Sequence, residues 1–513
     1  MSIPSYCCAT LLAAFLLVMP APAVEVAGLI EPGYVVSLGA DSELNKLMGG
    51  PDTKLTIHGR FQTINGVAQN SFVRLTGEGG VDPAFKVGVF SNVDNFAALP
   101  GGKTFIIGWR RDGAVYNRII GRLNADGTDD DSFKGAPDLT GFVNNVALQP
   151  DGKILIAGKF TMGAGLPLAN IARLNADGSL DAGFTVNANG EVDAVAVQPD
   201  GNILIAGQFT GVNGEERSHI ARLRADGSLE PATTFNVGKG ADKVVLSIAL
   251  QADGRILLSG AFNNFSGVAR CHMVRLAPNG TPEATSSFNP GTITNDPNPS
   301  AATGHKEYSG EIHSITLQAD GKILIAGVFK RVKAMLRPAL ARLLPDGSPE
   351  TKAAFDPRYG QESRTAFNAR PNVDDMQAPV VLLQRDGRII LGSRHCVRTA
   401  KRTFENHILR MGNDPAPENL AVANSGTVYW MRGGSAPEVS FVTFELSTDG
   451  GTTWTPLGPG TRIRGGWQCA GLSLPARGML RASGSIPCSF QHGNPGLTEK
   501  VVPFNLGAPP RKP

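Results

Sequence analysis

Apolar and polar positions alternate in one pattern that returns along most of the chain. VALQPDGKILIAGKF (Val146 to Phe160) is repeated almost residue for residue as VAVQPDGNILIAGQF (Val195 to Phe209). IALQADGRILLSGAF from Ile248 and ITLQADGKILIAGVF from Ile315 follow the same plan. Looser copies begin at Phe96 (FAALPGGKTFIIGWR), Val381 (VLLQRDGRIILGSRH) and Pro51 (PDTKLTIHGRF), which makes seven. Each apolar run is of strand length and rich in Val, Ile and Leu, and Asp-Gly between two such runs predicts a hairpin, because the tight turn needs a positive φ.

A second signature follows each copy. IARLNADGSLDAGF (Ile171 to Phe184) is the clearest, and IARLRADGSLEPATTF (Ile220 to Phe235) nearly repeats it. The first turn glycine recurs at Gly102, Gly152, Gly201, Gly254, Gly321 and Gly387, in steps of 50, 49, 53, 67 and 66 residues. Two hairpins per repeat predict four antiparallel strands, the plan of a propeller blade. The seventh repeat ends at Ile408-Leu409-Arg410 without a last strand. Val26-Ala27-Gly28-Leu29 is its expected replacement, pairing the start of the chain with its seventh repeat and hiding the open edges. The expected fold is an all-β, seven-bladed β-propeller closed by an N-terminal strand and followed by a small β-sandwich.

The paired signatures resemble those of the delta-60 repeat family, bacterial propeller-type repeats with a pattern close to QPDGKILIAGxF followed by IARLNADGSLDxxF. The resemblance spans about Val24 to Asp414 and is tightest in repeats three to six. It implies the fold and no particular activity.

Composition narrows the setting. Residues 1–23 read as a signal peptide, with an apolar stretch from Leu11 to Val18 and a small-residue cleavage site at Ala21-Pro22-Ala23. No later segment is long and apolar enough for a transmembrane helix. A secreted, periplasmic or cell-surface monomer is expected. The 48 basic and 45 acidic residues leave a net charge of +3, which argues against a general nucleic-acid binder. Residues 24–414 form the expected propeller, Asp414-Pro415-Ala416-Pro417 a linker, and residues 415–513 a fibronectin-III or immunoglobulin-like sandwich. Cys469 and Cys488 are candidates for a disulfide there, while Cys271 and Cys396 fall in different repeats and are expected free.

Candidate chemistry is weighed against simpler roles. Ser447 to Trp454 matches the Asp-box pattern S-x-D-x-G-x-T-W, expected to be a structural hairpin, since it occurs once and outside the ring. Asn124 to Asp129 clusters hard oxygens, so calcium is considered, yet the spacing is that of a turn. No other cofactor is expected. Arg74, Arg122, Arg173, Arg222, Arg275, Arg342 and Arg410 recur on the third strand and are expected to bridge blades. His219, His272 and His407 occupy one repeat position in three blades, too far apart to share a metal.

The Asp-Gly turns share one face of the ring, so the variable loops share the other, where function usually sits. Two insertions, Asn289 to Gly310 and Asp356 to Ala378, reach that face beside a basic sector. Lys330, Arg331, Lys333 and Arg337 in blade six, Arg394, His395, Arg398, Lys401 and Arg402 in blade seven, and Tyr308 and Tyr359 in the insertions are the candidate binding residues. The expected function is a non-enzymatic scaffold for a glycan or cell-envelope protein. The alternative is a carbohydrate-active hydrolase or lyase at the channel mouth, with acids among Glu307, Glu311, Glu362, Asp374 and Asp375, and with His305 or His313.

Overall fold

The computed structural model describes residues 27–507 except 41, 51, 70–71, 89, 113–114, 136–138, 163–167, 295–309, 358–379, 393–396, 399–403 and 487–495. Its strands form small antiparallel sheets, most of them within one repeat. In the fourth repeat, Val192–Val197 pairs with Ile203–Gly207, which pairs with Ile220–Leu223. Seven sheets of this kind occur among the described residues. Their innermost strands, which include Glu43–Gly49, Phe90–Ala98, Leu139–Leu148, Val192–Val197, Val245–Leu250, Glu311–Leu317 and Val380–Leu383, neighbour one another in a closed cycle. The ring is a β-propeller. Its apolar clusters lie between successive sheets: Ala196 and Leu204 of the fourth repeat pack with Ile248 and Leu258 of the fifth.

The fourth strand differs from the expectation. In six sheets it shrinks to a single bridge, as in Leu174↔Leu180 and Leu223↔Leu229. The next carboxylate stops the strand in several of them by capping a turn: Asp181 accepts a hydrogen bond from the Gly183 N–H at 3.2 Å, and Asp82 one from Ala84 at 3.0 Å. A full outer strand appears in the seventh sheet, where Ile30–Ala40 pairs with Phe404–Met411. The N-terminal strand thus completes that sheet, four residues later than expected. Glu31 takes the place of Asp181, and Tyr34 the place of Phe184: Arg410 holds Glu31 at 2.7 Å and stacks 4.2 Å from the Tyr34 ring.

The arginine of every third strand is a clamp. In the first six sheets its Nε donates to the carboxylate eight residues on, from 2.6 Å for Arg222–Glu230 to 2.9 Å for Arg275–Glu283, and in the seventh Glu31 fills that role. Except in Arg342, whose Nη1 donates to the Asn413 Oδ1, an Nη then reaches a carbonyl in the turn of the following sheet, as Arg74 does to Ala125 at 2.7 Å and Arg222 to Pro278 at 2.7 Å. The guanidinium lies over the buried phenylalanine of its own repeat, 4.4 Å from Phe85 and 4.6 Å from Phe355. A charge-assisted pair, a carbonyl bond and a cation–π contact are satisfied together.

The C-terminal residues form two four-stranded antiparallel sheets. Trp430, Phe444, Trp467 and Leu480 fill the space between them. This sandwich does not hang from a free linker. It sits on the Asp-Gly turns: Ala319 N–H donates to Ala436 at 2.8 Å and Asp320 N–H to Gly434 at 3.0 Å. Phe441 joins the cluster of Leu99 and Leu148, and Leu497 that of Met48 and Ala98. Arg385 pairs with Glu418 at 2.7 Å. The linker itself is tied down by Asp414, which Lys322 holds at 2.8 Å. One end of the ring is therefore covered.

Candidate functional site

Each of the first six innermost strands carries a β-bulge near its first residues. The register slips between Val93 and Asn95, Val143 and Asn145, Val192 and Ala194, Val245 and Ser247, and Ile312 and Ser314, with an equivalent slip between Leu44 and Lys46. A bulge takes one residue out of the ladder register and re-aims its side chain. The residues so released are Asn45, Asp94, Asn144, Asp193, Leu246 and His313. The glycine that ends each I-L-I-A-G run faces this feature. A Cβ on Gly158, Gly207, Gly260 or Gly327 would collide with the carbonyl oxygen of Phe142, Glu191, Val244 or Glu311 respectively. The repeated glycine is thus the signature of the bulge.

The innermost strand runs from its bulge toward the Asp-Gly turn beneath the sandwich, so the bulges mark the uncovered end of the channel. Side chains meet across that end. Lys46 Nζ donates to the Asn144 carbonyl at 3.4 Å, joining the first sheet to the third. Asn144 Nδ2 donates to Glu191 Oε1 at 2.6 Å and to Asp193 Oδ1 at 3.1 Å, joining the third to the fourth. Arg118 donates to Asp94 at 2.5 Å and lies 5.4 Å from the Trp109 ring. On the far side, His313 and Glu311 are 3.0 Å apart.

This belt is electrostatically uneven. Burial, and then the charge of Glu191, push the Asp193 carboxyl up to about 7, so its proton is held near neutrality. Its Oδ2 has no hydrogen-bond partner, and the residue is 0% exposed. Burial also raises Asp94, against the opposing pull of Arg118. His58, opposite Lys46 in the register, is lowered to about 3 by burial and by Lys46. It stays neutral, and its Nε2 accepts the Val93 N–H at 3.2 Å. The hydrogen bond from His313 lowers Glu311.

The sequence-derived candidates fall elsewhere. Lys330 and Arg337 are buried. Arg337 donates to the Glu350 carbonyl at 2.6 Å, as Arg270 does to Glu283 at 2.6 Å and Arg217 to Glu230 at 3.0 Å. It is a framework arginine shared by repeats four to six, correcting its placement on an exposed loop. The reason is local: residues 331–336 fold as the same two-residue hairpin found at 63–68, 211–216 and 264–269, so these loops are more regular than expected. Arg331 is half-buried and donates to the Ala334 carbonyl at 2.9 Å, while Lys333 is exposed at the hairpin's left-handed position, φ 52°. Arg398 lies in the short strand Val397–Arg398. Arg394, His395, Lys401, Arg402, Tyr308 and Tyr359 lie outside the described residues, as do Glu307, Glu362, Asp374, Asp375 and His305.

Other expectations are placed as follows. The Asp449 carboxylate accepts the Thr452 and Thr453 N–H groups at 3.0 and 2.9 Å, a hairpin cap. Asp126 is engaged by Thr128 at 2.7 Å, and Asp129 by two nitrogens of Arg110 at 2.6 Å, so the calcium candidate's carboxylates serve their own turn and a neighbouring strand. Cys469 is buried in the sandwich core, its Sγ 3.8 Å from the Leu457 carbonyl. Cys488 lies outside the described residues. Sequence reasoning missed the belt itself. Its signal was present: in repeats one to four and six, a polar residue stands at a fixed distance before the apolar run, with the glycine opposite.

Comparison with known proteins agrees with the geometry. A family model described as a domain of unknown function, β-propeller, matches residues 50–85, 149–184, 198–232, 251–285 and 318–351. No curated protein matches the chain. Similar solved structures include a eukaryotic initiation factor, 10% identical over 92% of this chain and 98% of that one, with a TM-score of 0.29. AztD from Citrobacter koseri is 9% identical over 91% and 98%, with a TM-score of 0.23. A protein described as a glycosidase from Bacteroides thetaiotaomicron is 11% identical over 47% and 87%, with a TM-score of 0.22. Likenesses at these scores carry no functional argument. The matched repeats and the ring of sheets together make this chain a β-propeller-type repeat protein.

Proposed function

We propose that the protein is exported and acts as a binding scaffold. In this reading, a seven-bladed propeller presents its open face to a glycan or a cell-envelope protein, and a sandwich of the fibronectin-III or immunoglobulin kind forms its base. The inequality of the channel's two ends carries the proposal. The turn end is covered by the sandwich through backbone bonds at Ala319 and Asp320. The other end carries a belt of side chains that differ from sheet to sheet, with Lys46 and Asp94 buried and Asn144 and Glu191 half-exposed. A rigid ring with a variable rim is a platform for recognition. The test is a binding screen of the mature chain against glycans, with and without calcium, together with capture of partners from a cell envelope. A specific ligand from either arm supports the reading, and silence in both overturns it.

A second reading, a carbohydrate-active hydrolase, has one observation in its favour. Asp193, held protonated, stands beside Glu191 on the same amide donor, and paired carboxyls of unequal acidity can divide acid and base roles. Against it, Asp193 is fully enclosed. Turnover of glycoside substrates that Asp193→Asn abolishes would favour this reading over the scaffold.

A further inference from the structure

Among the described residues, one aromatic side chain is prominently exposed. Phe142 is 63% exposed, whereas the repeat phenylalanines such as Phe184, Phe235 and Phe288 are buried. It lies on the innermost strand Leu139–Leu148, two residues before the bulge residue Asn144, and thus at the uncovered mouth. The repeat shows what surrounds it. The residue two before the bulge is Asn92 in the second sheet, Glu191 in the fourth, Val244 in the fifth and Glu311 in the sixth. Phe142 is therefore flanked around the rim by Asn92 on one side and Glu191 on the other.

The flanks are held in place. Asn144 fixes Glu191 Oε1 at 2.6 Å, and Gln208 Nε2 reaches its Oε2 at 3.3 Å. Asn92 Nδ2 donates to Asp94 Oδ1 at 3.1 Å. Asn95 Nδ2 reaches the Val143 carbonyl at 3.4 Å, tying the second innermost strand to the third. Behind them stands the enclosed Asp193, whose Oδ2 lacks a partner. Glu191 is half-exposed, and Asn92 is exposed.

We infer that the rim over sheets two to four is a subsite for a sugar residue of a neutral glycan, with Phe142 as its stacking platform and Glu191 and Asn92 as its hydroxyl partners. A pyranose has one face of C–H groups and an edge of hydroxyls. The negative face of an aromatic ring attracts the C–H groups, while a fixed carboxylate and an amide hydrogen-bond the hydroxyls. An acidic glycan fits poorly, since the Glu191 carboxylate would repel it, while Asp94 is buried and paired with Arg118. This inference rests on the scaffold reading above and moves the ligand from the basic sector of sheets six and seven to the opposite arc.

The test is titration of the mature chain with neutral and acidic oligosaccharides, beside Phe142→Ala, Phe142→Tyr, Glu191→Gln and Lys333→Glu. Neutral-glycan binding should fall at least tenfold in Phe142→Ala and in Glu191→Gln, survive in Phe142→Tyr, and be indifferent to Lys333→Glu. Melting temperatures should stay level for the Phe142 variants, because the side chain is exposed. Glycan binding that survives Phe142→Ala, or that is confined to acidic chains and lost in Lys333→Glu, overturns the subsite and leaves the scaffold reading standing. Absence of any glycan binding also overturns the subsite. If envelope capture is silent too, the scaffold reading falls with it.

Discussion

The third-strand arginine and the innermost-strand bulge recur in the same sheets, and they recur differently. At the arginine, residue and contacts are both repeated, down to the carboxylate eight residues on and the ring beneath. At the bulge, the backbone slip is repeated while the side chain is Asp94, Asn144, Asp193, Leu246 or His313. A position that must satisfy three partners admits one residue type. A position where only the backbone is constrained leaves its side chain open to a task. The contrast separates framework from site without reference to any known activity.

Breaking a clamp should have the largest effect. Arg342 is 1% exposed and pairs with the buried Glu350 at 2.6 Å. Arg342→Ala removes the buried guanidinium from that carboxylate and leaves it to Lys322 alone, at 3.1 Å, and a loss of about 3 kcal/mol is expected in chemical denaturation. Next comes the backbone of the bulge. Gly207→Ala drives a Cβ into the Glu191 carbonyl, which should cost about 3 kcal/mol, measured in the same way. If alanine is tolerated there, the bulge is not the reason for the repeated glycine.

Side-chain changes at the bulge should be milder and dependent on pH. Asp193 holds its proton up to about 7 when folded, against an ordinary value of 3.8. The folded state therefore binds the extra proton between those limits, and stability falls as pH rises through them. Asp193→Asn should remove that fall. It should resemble the parent near pH 4 and be more stable at pH 8 by roughly 4 kcal/mol, read from melts at both values. Equal pH profiles would mean that Asp193 is ionised throughout. The smallest effect on stability belongs to Phe142→Ala, within about 0.5 kcal/mol, so any loss of binding there reports on the ligand alone.

Much of the fold was legible because its determinants are local. Alternating apolar runs and Asp-Gly turns specify hairpins by themselves, and their repetition specifies a ring. The clamp was legible in part: an arginine at one repeat position suggested a bridge between blades. Closure was legible as a missing strand, but Val26 to Leu29 was a poor guide to register. The better match, Ile30-Glu31 against Leu180-Asp181, depends on a glutamate meeting Arg410, which is 379 positions away. The basic sector shows the opposite failure. Lys330 and Arg337 read as exposed charge in the sequence, and their environment is set by a small hairpin whose arginine serves the Glu350 carbonyl.

The sequence by itself determined the strands, the turns, the repeat and the all-β class, because each follows from side-chain alternation and turn stereochemistry over a dozen residues. Only the tertiary structure decided which end of the channel is open, since that depends on where the sandwich docks, through Phe441, Leu497 and the backbone at Ala319. It also decided that Lys46, Asn144 and Glu191 meet, although they come from three repeats. The physical reason is closure. Bringing innermost strands around one axis places residues roughly fifty positions apart within hydrogen-bonding distance, and no local pattern encodes which of them will face one another.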